Sequence, residues 1–356
     1  MHDTITWGCA VCFIPELIKK YYGSTHVFTK VYKACVQYLE YMKTKERQGG
    51  LIQHGLGDWG RDIAYGNHQA NIETAVYYKC LQNVAMMARE LGHTEDEARF
   101  TEAAERVYRV YNEQLLVTSR DTYPYCFYTS QDEPCSQDRT MVAQAMALQF
   151  DLVPSEHRQD IITAFLAAAE ASNNTMLAGE IGLKYLWNTL AEDDVDRPDI
   201  VLAMARREEH PSYMRFLRRG ETTLLEFWQD ACRSKCHDML GSIYEWFYAY
   251  ALGVQPLGDG YRTWRMRPCF KGEFDLIEGE VECPYGLIKV KFDRTGGMTD
   301  KANVQLTVPA GTVCDLILPS ETSRVDIRRQ GSTERQGVPG LVVKLSHGSY
   351  SLDITA

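Results

Sequence analysis

The 356 residues carry a formal net charge of -10, and no cluster of Lys and Arg offsets it, which excludes nucleic acid as the main partner. No apolar run is long enough to span a bilayer, and residues 1–16 lack a basic start and a small-residue cleavage site, so a cytoplasmic protein is expected. A chain of this length, 45% hydrophobic, can bury a large core and hold two domains.

From Val11 to about Leu252 the apolar spacing is helical. A first helix is expected with Pro15 in its opening turn, running toward Tyr22 and stopped by Gly23. Val27, Val31, Ala34 and Tyr38 continue at helical spacing toward Met42. Gly49, Gly50, Gly55, Gly57 and Gly60 then make a glycine-rich loop. Asn71 is expected to cap a helix ending at Gly92, and Thr94 to cap the next, through Val110. Further helices read at 140–150, 156–171, 181–190 and 200–206, another opens at His237, and Tyr244, Phe247, Tyr248 and Ala251 mark a last long one. Short and long links alternate between them, as stacked helical hairpins closing into a ring would require. No fixed-length repeat is visible.

After Pro256 the texture changes. Short strands read at 261–268, 273–283, 286–293, 303–308, 313–318, 323–328, 341–345 and 349–354, separated by turn signals such as Pro284-Tyr285-Gly286 and His347-Gly348. Evenly spaced short strands of this kind suggest an antiparallel β-sandwich. Two domains are therefore expected, residues 1–255 and 256–356.

Two stretches look chemical. Gly220-Glu221-Thr222-Thr223-Leu224-Leu225-Glu226-Phe227-Trp228 sets a carboxylate, Glu226, in an apolar and aromatic run, with Trp228 two residues on and His237 beyond a short polar stretch. Such a carboxylate suits general acid or base work, and flanking indoles suit stacking on a sugar face. The plain alternative is a helix-surface glutamate. The second stretch, Gly57-Asp58-Trp59, lies in the glycine-rich loop with Arg61 beside it. Asp58 has the plain alternative of holding a turn, and Trp7 and Trp59 that of core indoles.

The eleven cysteines are an odd number, scattered on apolar faces, and fit reduced buried thiols rather than disulfides. Cys9-x-x-Cys12 is half of a four-ligand zinc site, and Cys232, Cys236 and His237 lack a further ligand, so no metal or cofactor is expected.

Taken together, His210-Pro211-Ser212-Tyr213-Met214, the 220–228 stretch, His237, and Gly241 with Glu245-Trp246 resemble the bacterial inverting α-L-rhamnosidases. Gly57-Asp58-Trp59 is similar to that family's G-D-W loop and Trp7-Gly8-Cys9-Ala10 to its W-G-D-A. Val308-Pro309-Ala310-Gly311-Thr312 and His347-Gly348-Ser349-Tyr350 resemble its last β-domain. The resemblance implies an (α/α)6 toroid followed by a β-sandwich, with Glu226 as the base that activates water. It implies a sugar subsite lined by Trp7, Trp59 and His237, with Arg61 and Trp228 as further substrate-binding candidates and Asp58 shaping the loop beneath Trp59. Inversion needs a second carboxyl about 6.5–9.5 Å from the base.

The family's acid lies upstream of W-G-D-A, in an acidic motif that this sequence lacks. Fewer helices read here than a closed ring needs. A missing upstream segment, or a partner chain such as a second copy, is therefore expected to cover the ring. Cys9 stands for an acidic residue and Cys236 for an Asn. Asp58 is the catalytic candidate for the missing acid, with Asp62 and Glu73 also near the loop. Asp62 follows a cation, which favours the wrong protonation state, and Glu73 sits where it would favour a helix dipole. Two other functions stay open. One is a lyase on the same toroid, with Arg61, Tyr65 and His68 serving a uronate. The other is a non-catalytic carbohydrate-binding fragment.

Overall fold

The computed structural model describes residues 4–60, 69–118, 123–129, 140–230, 232–267, 269, 271, 273–294, 301–318, 324–329, 332–337 and 342–355. Arg61, Asp62, Tyr65 and His68 lie outside them. The chain divides into two compact units: residues 1–15 with 26–243, and residues 16–25 with 244–356.

The first unit is helical. Its helices are α1 (Ile5–Gly8), α2 (Ala10–Tyr22, whose second half belongs to the other unit), α3 (His26–Lys43), α4 (Ala70–Leu91), α5 (Thr94–Leu115), α6 (Met141–Gln149), α7 (Arg158–Ala171), α8 (Glu180–Ala191), α9 (Pro198–Arg206) and α10 (Tyr213–Arg218). Two short ribbons, β1 (Glu46–Arg47) with β2 (Leu51–Ile52) and β3 (Leu116–Val117) with β4 (Phe127–Tyr128), fill loops between them. Helices α4 and α5 form a hairpin, turned by Gly92 at φ 77°. Only a residue without Cβ takes that left-handed cap cheaply. Packing then proceeds α3 on α4, α4 on α6, α6 on α7 and α8, α8 on α9, and α9 on α10. This is the expected hairpin architecture.

Helix α4 is buried nearly all round, Asn71, Glu73, Thr74 and Asn83 included. A helix with no wet face belongs to a core. Two of its polar groups find partners: the Thr74 hydroxyl accepts from Ile52 N at 2.9 Å, and Asn83 donates to Cys12 O at 3.3 Å. Glu73, with no exposed surface, accepts from Gly57 N at 3.1 Å. Glu73, the acidic residue of the first turn of α4, thus also ties the glycine-rich loop to that helix. Gly55 is required for this, because a Cβ there would lie 2.7 Å from Glu73 Oε1.

Four local expectations differ. Helix α2 starts at Ala10, so Pro15 sits inside it, not in its opening turn. Gln69, not Asn71, precedes α4. His93, not Thr94, precedes α5. No helix opens at His237, because the described residues of 219–242 are not helical.

The second unit holds the strands, after a short α11 (Ile243–Trp246, its first residue in the helical unit) and a π turn at 247–251. The strands are β5 (Val254–Pro256), β6 (Thr263–Met266), β7 (Leu276–Cys283), β8 (Gly286–Asp293), β9 (Lys301–Val308), β10 (Val313–Ile317), β11 (Arg324–Arg329), β12 (Ser332–Gly337), β13 (Val342–Leu345) and β14 (Gly348–Thr355). One sheet runs β13-β10-β6-β5 and the other β12-β11-β14-β9-β8-β7. Every pair is antiparallel except β10 with β6. Inward residues of both sheets, among them Trp264, Met266, Val304, Leu316 and Leu352, share one core, as in a sandwich. The alternation that announced these strands is visible in β9, where Ala302, Val304, Leu306 and Val308 are buried. The second half of α2 joins this unit: Lys19 pairs with Asp259 at 2.8 Å, and Tyr21 donates to Glu245 at 3.2 Å.

Candidate active site

Two loops and the start of helix α8 converge in the helical unit. The first loop is Gly57-Asp58-Trp59-Gly60. Asp58 is buried, and its two oxygens accept from Gly179 N and Gly182 N, each at 2.7 Å. Those N–H groups open helix α8, which has no capping side chain of its own. Asp58 therefore caps α8 from a distant loop, satisfying donors that helix geometry leaves unpaired. Glu180 N donates to Trp59 O at 2.8 Å and completes the suture. Both glycines are needed: a Cβ on Gly179 would lie 2.1 Å from Trp59 O, and one on Gly182 2.4 Å from Val142.

The loop carrying Glu226 is pinned in another way. Glu226 N donates to Ser234 O at 3.2 Å and His237 N to Leu224 O at 2.9 Å. Residues 224–226 and 234–237 thus run side by side, which places His237 beside the Glu226 loop. The Glu226 side chain is half-buried, and its Oε2 accepts a long bond from Ser234 N at 3.4 Å. The His237 ring is half-buried, with Nδ1 free of any partner among the described residues. Gly60 abuts this loop so closely that a Cβ would lie 2.8 Å from the Phe227 Cβ. The Asp58-Trp59 and Glu226 stretches are therefore neighbours.

Trp228 braces the loop from behind. It has no exposed surface, its indole N–H donates to Ala178 O at 2.7 Å, and its ring stacks on Phe216 with centroids 5.5 Å apart. Tyr213 meets it edge-on at 5.2 Å. That ring has no face left for a sugar. Trp7 and Trp59 keep part of their surface exposed. Arg61 lies outside the described residues.

Glu180, the first residue of α8, went unnoticed in the sequence. It is half-buried, and its Oε2 is shielded from solvent with no hydrogen-bond partner among the described residues. Burial, and then the carboxyls of Asp58, Asp238 and Glu226, push it up to about 8, against the opposing hydrogen bond from the Trp7 side chain. A carboxylic acid that keeps its proton near neutrality is thus set among the residues singled out above. The only signal in the sequence is an acidic residue between two glycines at the start of an uncapped helix.

Elsewhere, the Cys9-x-x-Cys12 pair is buried with Cys35 and Cys80, and burial holds the Cys9 thiol up to about 12. Thiols kept protonated in this way are poor ligands and nucleophiles. Cys126, His157 and Asp160 bring ligand atoms within 4.8 Å of one another at the start of α7, and none of them is among the residues described above. A groove of about 520 Å³ between α4 and α5, lined by Tyr78, Gln82, Arg89 and Tyr108, includes none of the carboxyl cluster.

Comparison with known proteins agrees with this architecture. Residues 1–251 match the bacterial alpha-L-rhamnosidase 6 hairpin glycosidase domain, and residues 253–332 the bacterial alpha-L-rhamnosidase C-terminal domain. An alpha-L-rhamnosidase of Alteromonas sp. (strain LOR) is 24% identical over 90% of this chain and 35% of its own length. One from Streptomyces avermitilis is 24% identical over 88% of this chain and 29% of its own. The chain thus spans about a third of the length of these relatives. Among solved structures, the alpha-L-rhamnosidase of Dictyoglumus thermophilum superposes with TM-score 0.86 at 18% identity, over 99% of this chain and 40% of that one. The Streptomyces avermitilis enzyme complexed with L-rhamnose gives 0.81 at 22% identity, over 97% and 32%. With its helical unit matched over most of the sequence and its strand unit following in order, the chain belongs to the bacterial α-L-rhamnosidase family, whose members are glycosidases.

Proposed function

We propose that this chain carries the site of an inverting hydrolase of terminal α-L-rhamnosides, with Glu226 as the base that takes a proton from the attacking water. The observation that supports it most is the fixed setting of Glu226. Its main chain is locked to Ser234, its loop is braced by Trp228, and it sits against the Trp59 loop. Ser234 N holds one oxygen, leaving the other to orient water. Trp7 and Trp59 offer part-exposed indoles to the C6-methyl face of rhamnose. The unpartnered His237 Nδ1 is available to a ring hydroxyl. Asp58 and Trp228 act as positioning residues. The rhamnose bound to the Streptomyces avermitilis relative favours the same sugar.

The test is turnover of an aryl α-L-rhamnoside by the wild-type chain and by Glu226→Gln. Loss of a general base lowers the rate by roughly 10²–10⁴-fold, with the melting temperature unchanged and the first sugar released being the inverted anomer. Full activity in Glu226→Gln would overturn the assignment. An ultraviolet-absorbing unsaturated product would instead point to a lyase.

A further inference from the structure

We propose that Cys126, His157 and Asp160 form a zinc site that fastens strand β4 to the start of helix α7. The site shares no residue with the proposed hydrolytic centre and is tested without a sugar.

Ligand chemistry comes first. The Cys126 sulfur, an imidazole nitrogen of His157 and a carboxylate oxygen of Asp160 all lie within 4.8 Å of one another, and no other three such side chains come so close among the described residues. Thiolate, imidazole and carboxylate are the donor types that zinc takes. The sulfur argues against calcium and magnesium, which bind through oxygen. The carboxylate argues against copper(I), which takes soft donors. The charges also match. A divalent cation with one thiolate, one carboxylate and one neutral imidazole is a neutral centre, which a partly buried site tolerates. Binding makes the zinc–sulfur bond and sends the thiol proton to solvent.

Support comes second. Cys126 is buried and directly precedes β4. That strand is clamped by the buried Gln144 of α6, whose side-chain amide accepts from Tyr128 N and donates to Tyr128 O, each at 2.8 Å. The Tyr128 hydroxyl donates to Asn112 Oδ1 at 2.6 Å, and the Asn112 amide donates to Leu152 O at 2.9 Å. Leu152 leads into the 3-10 turn Ser155–His157, which runs straight into α7. A continuous series of hydrogen bonds thus joins the strand that follows the sulfur to the turn that carries the imidazole. His157 immediately precedes α7, yet its side chain makes no capping bond there. Asp160 follows three residues on, a spacing that sets two side chains on one face of a helical turn. Two ligands from one turn and a third beside a pinned strand make a set held by rigid elements. Because the sulfur comes from a different element, no spacing in the sequence announces the set.

Geometry comes third. Zinc bonds of about 2.0–2.3 Å in a tetrahedron put neighbouring donors about 3.3–3.6 Å apart, so the set closes with a contraction of up to about 1.5 Å. His157 and Asp160 are part-exposed and have room to rotate, whereas the sulfur is enclosed. Three protein ligands leave a fourth position, which water fills in zinc sites of this kind.

The experiment strips the full chain with EDTA and adds zinc back while metal content, titration heat and melting temperature are read. One zinc per chain should stay through desalting, and the melting temperature should rise by roughly 5–10 °C at free zinc about a hundred times Kd. Cobalt(II) in place of zinc should give a thiolate charge-transfer band. His157→Gln and Asp160→Asn alter part-exposed side chains, and each should weaken zinc binding by about tenfold or more. Cys126→Ser should lose the cobalt band. The readout is the difference between loaded and stripped protein, so a variant that merely folds less stably still tests the site. Cys236→Ser removes an exposed thiol and should leave stoichiometry, affinity and band unchanged. A stripped chain that takes up no zinc, binding that survives both His157→Gln and Asp160→Asn, or binding that vanishes with Cys236→Ser would each overturn the site. Each would leave the hydrolytic reading untouched.

Discussion

The cap that Asp58 supplies to α8 can be broken by a single atom exchange. Asp58→Asn keeps the volume but turns one acceptor oxygen into an NH₂ facing a backbone N–H, so one of the two 2.7 Å bonds becomes a donor–donor contact. Hydrogen bonds to a charged partner contribute about 1.5–3 kcal/mol each, and a carboxylate at a helix N-terminus adds about 0.3–1 kcal/mol more. The site is buried, so water cannot repair the loss. A destabilisation of about 3 kcal/mol follows. For a unit of this size that is a fall of roughly 6–12 °C in melting temperature. Scanning calorimetry on the full chain reads the midpoint, and an aryl rhamnoside assay at a temperature where both proteins stay folded reads turnover. Turnover should fall too, because Trp59, proposed to line the sugar subsite, is tied to that terminus through its carbonyl. If Asp58→Asn melted within about a degree of wild type and yet lost all turnover, the capping argument would fail. Asp58 would then be a reacting group, the part for which it was considered as a substitute for the missing acid.

Two further outcomes follow from the same region. Glu73, buried without exposed surface, is held up to about 7 by that burial, against N–H groups that accompany it. Its folded value lies above the unfolded one, so the folded chain binds the proton more tightly. The stability it contributes is complete below about pH 4.5 and drains away as pH rises through 7, a loss of about 3 kcal/mol. Urea midpoints at either end of that window should differ in wild type and converge in Glu73→Gln; an unchanged slope in the variant would refute this. Gly179→Ala would drive its Cβ to 2.1 Å from Trp59 O, so the terminus of α8 must shift at a cost of about 1–3 kcal/mol or more. Both melting temperature and rhamnoside turnover should drop, and a variant as stable as wild type would show that the suture is slack.

Much of the fold was legible because its elements are amphipathic with a single period. Helices α5 and α9 and strands β8, β9 and β14 appear where apolar residues recur at the spacing that faces a core. The stretch around Glu226 was legible as chemistry but not as structure. Leu224, Leu225, Phe227 and Trp228 mimic a helical stripe, whereas the backbone is spent on Ser234 and Leu224 pairings across a loop. Trp228, read as a sugar platform, instead fills a hole between Phe216 and Tyr213. An indole's hydrophobic payload favours such burial over stacking on a wet ligand. Glu180 was invisible for a different reason. What sets it apart is the absence of a local cap at α8, and the group that replaces the cap lies 121 residues earlier in the chain. No window on the sequence spans that distance.

The same non-local contact explains why two carboxyls so close together divide their duties. A helix end has a limited number of unpaired N–H groups, and one carboxylate that takes two of them leaves little for a second. Asp58, buried, takes two of them. Glu180, one residue along the same terminus, meets the negative ends of its neighbours instead, with the Trp7 side chain as its hydrogen-bonding partner. Environment rather than residue type then sets which carboxyl accepts backbone N–H bonds and which keeps its own proton. The two glycines that flank Glu180 are what let the Asp58 loop come close enough to make that division. A side chain at either would push the loop away and return the helix terminus to Glu180.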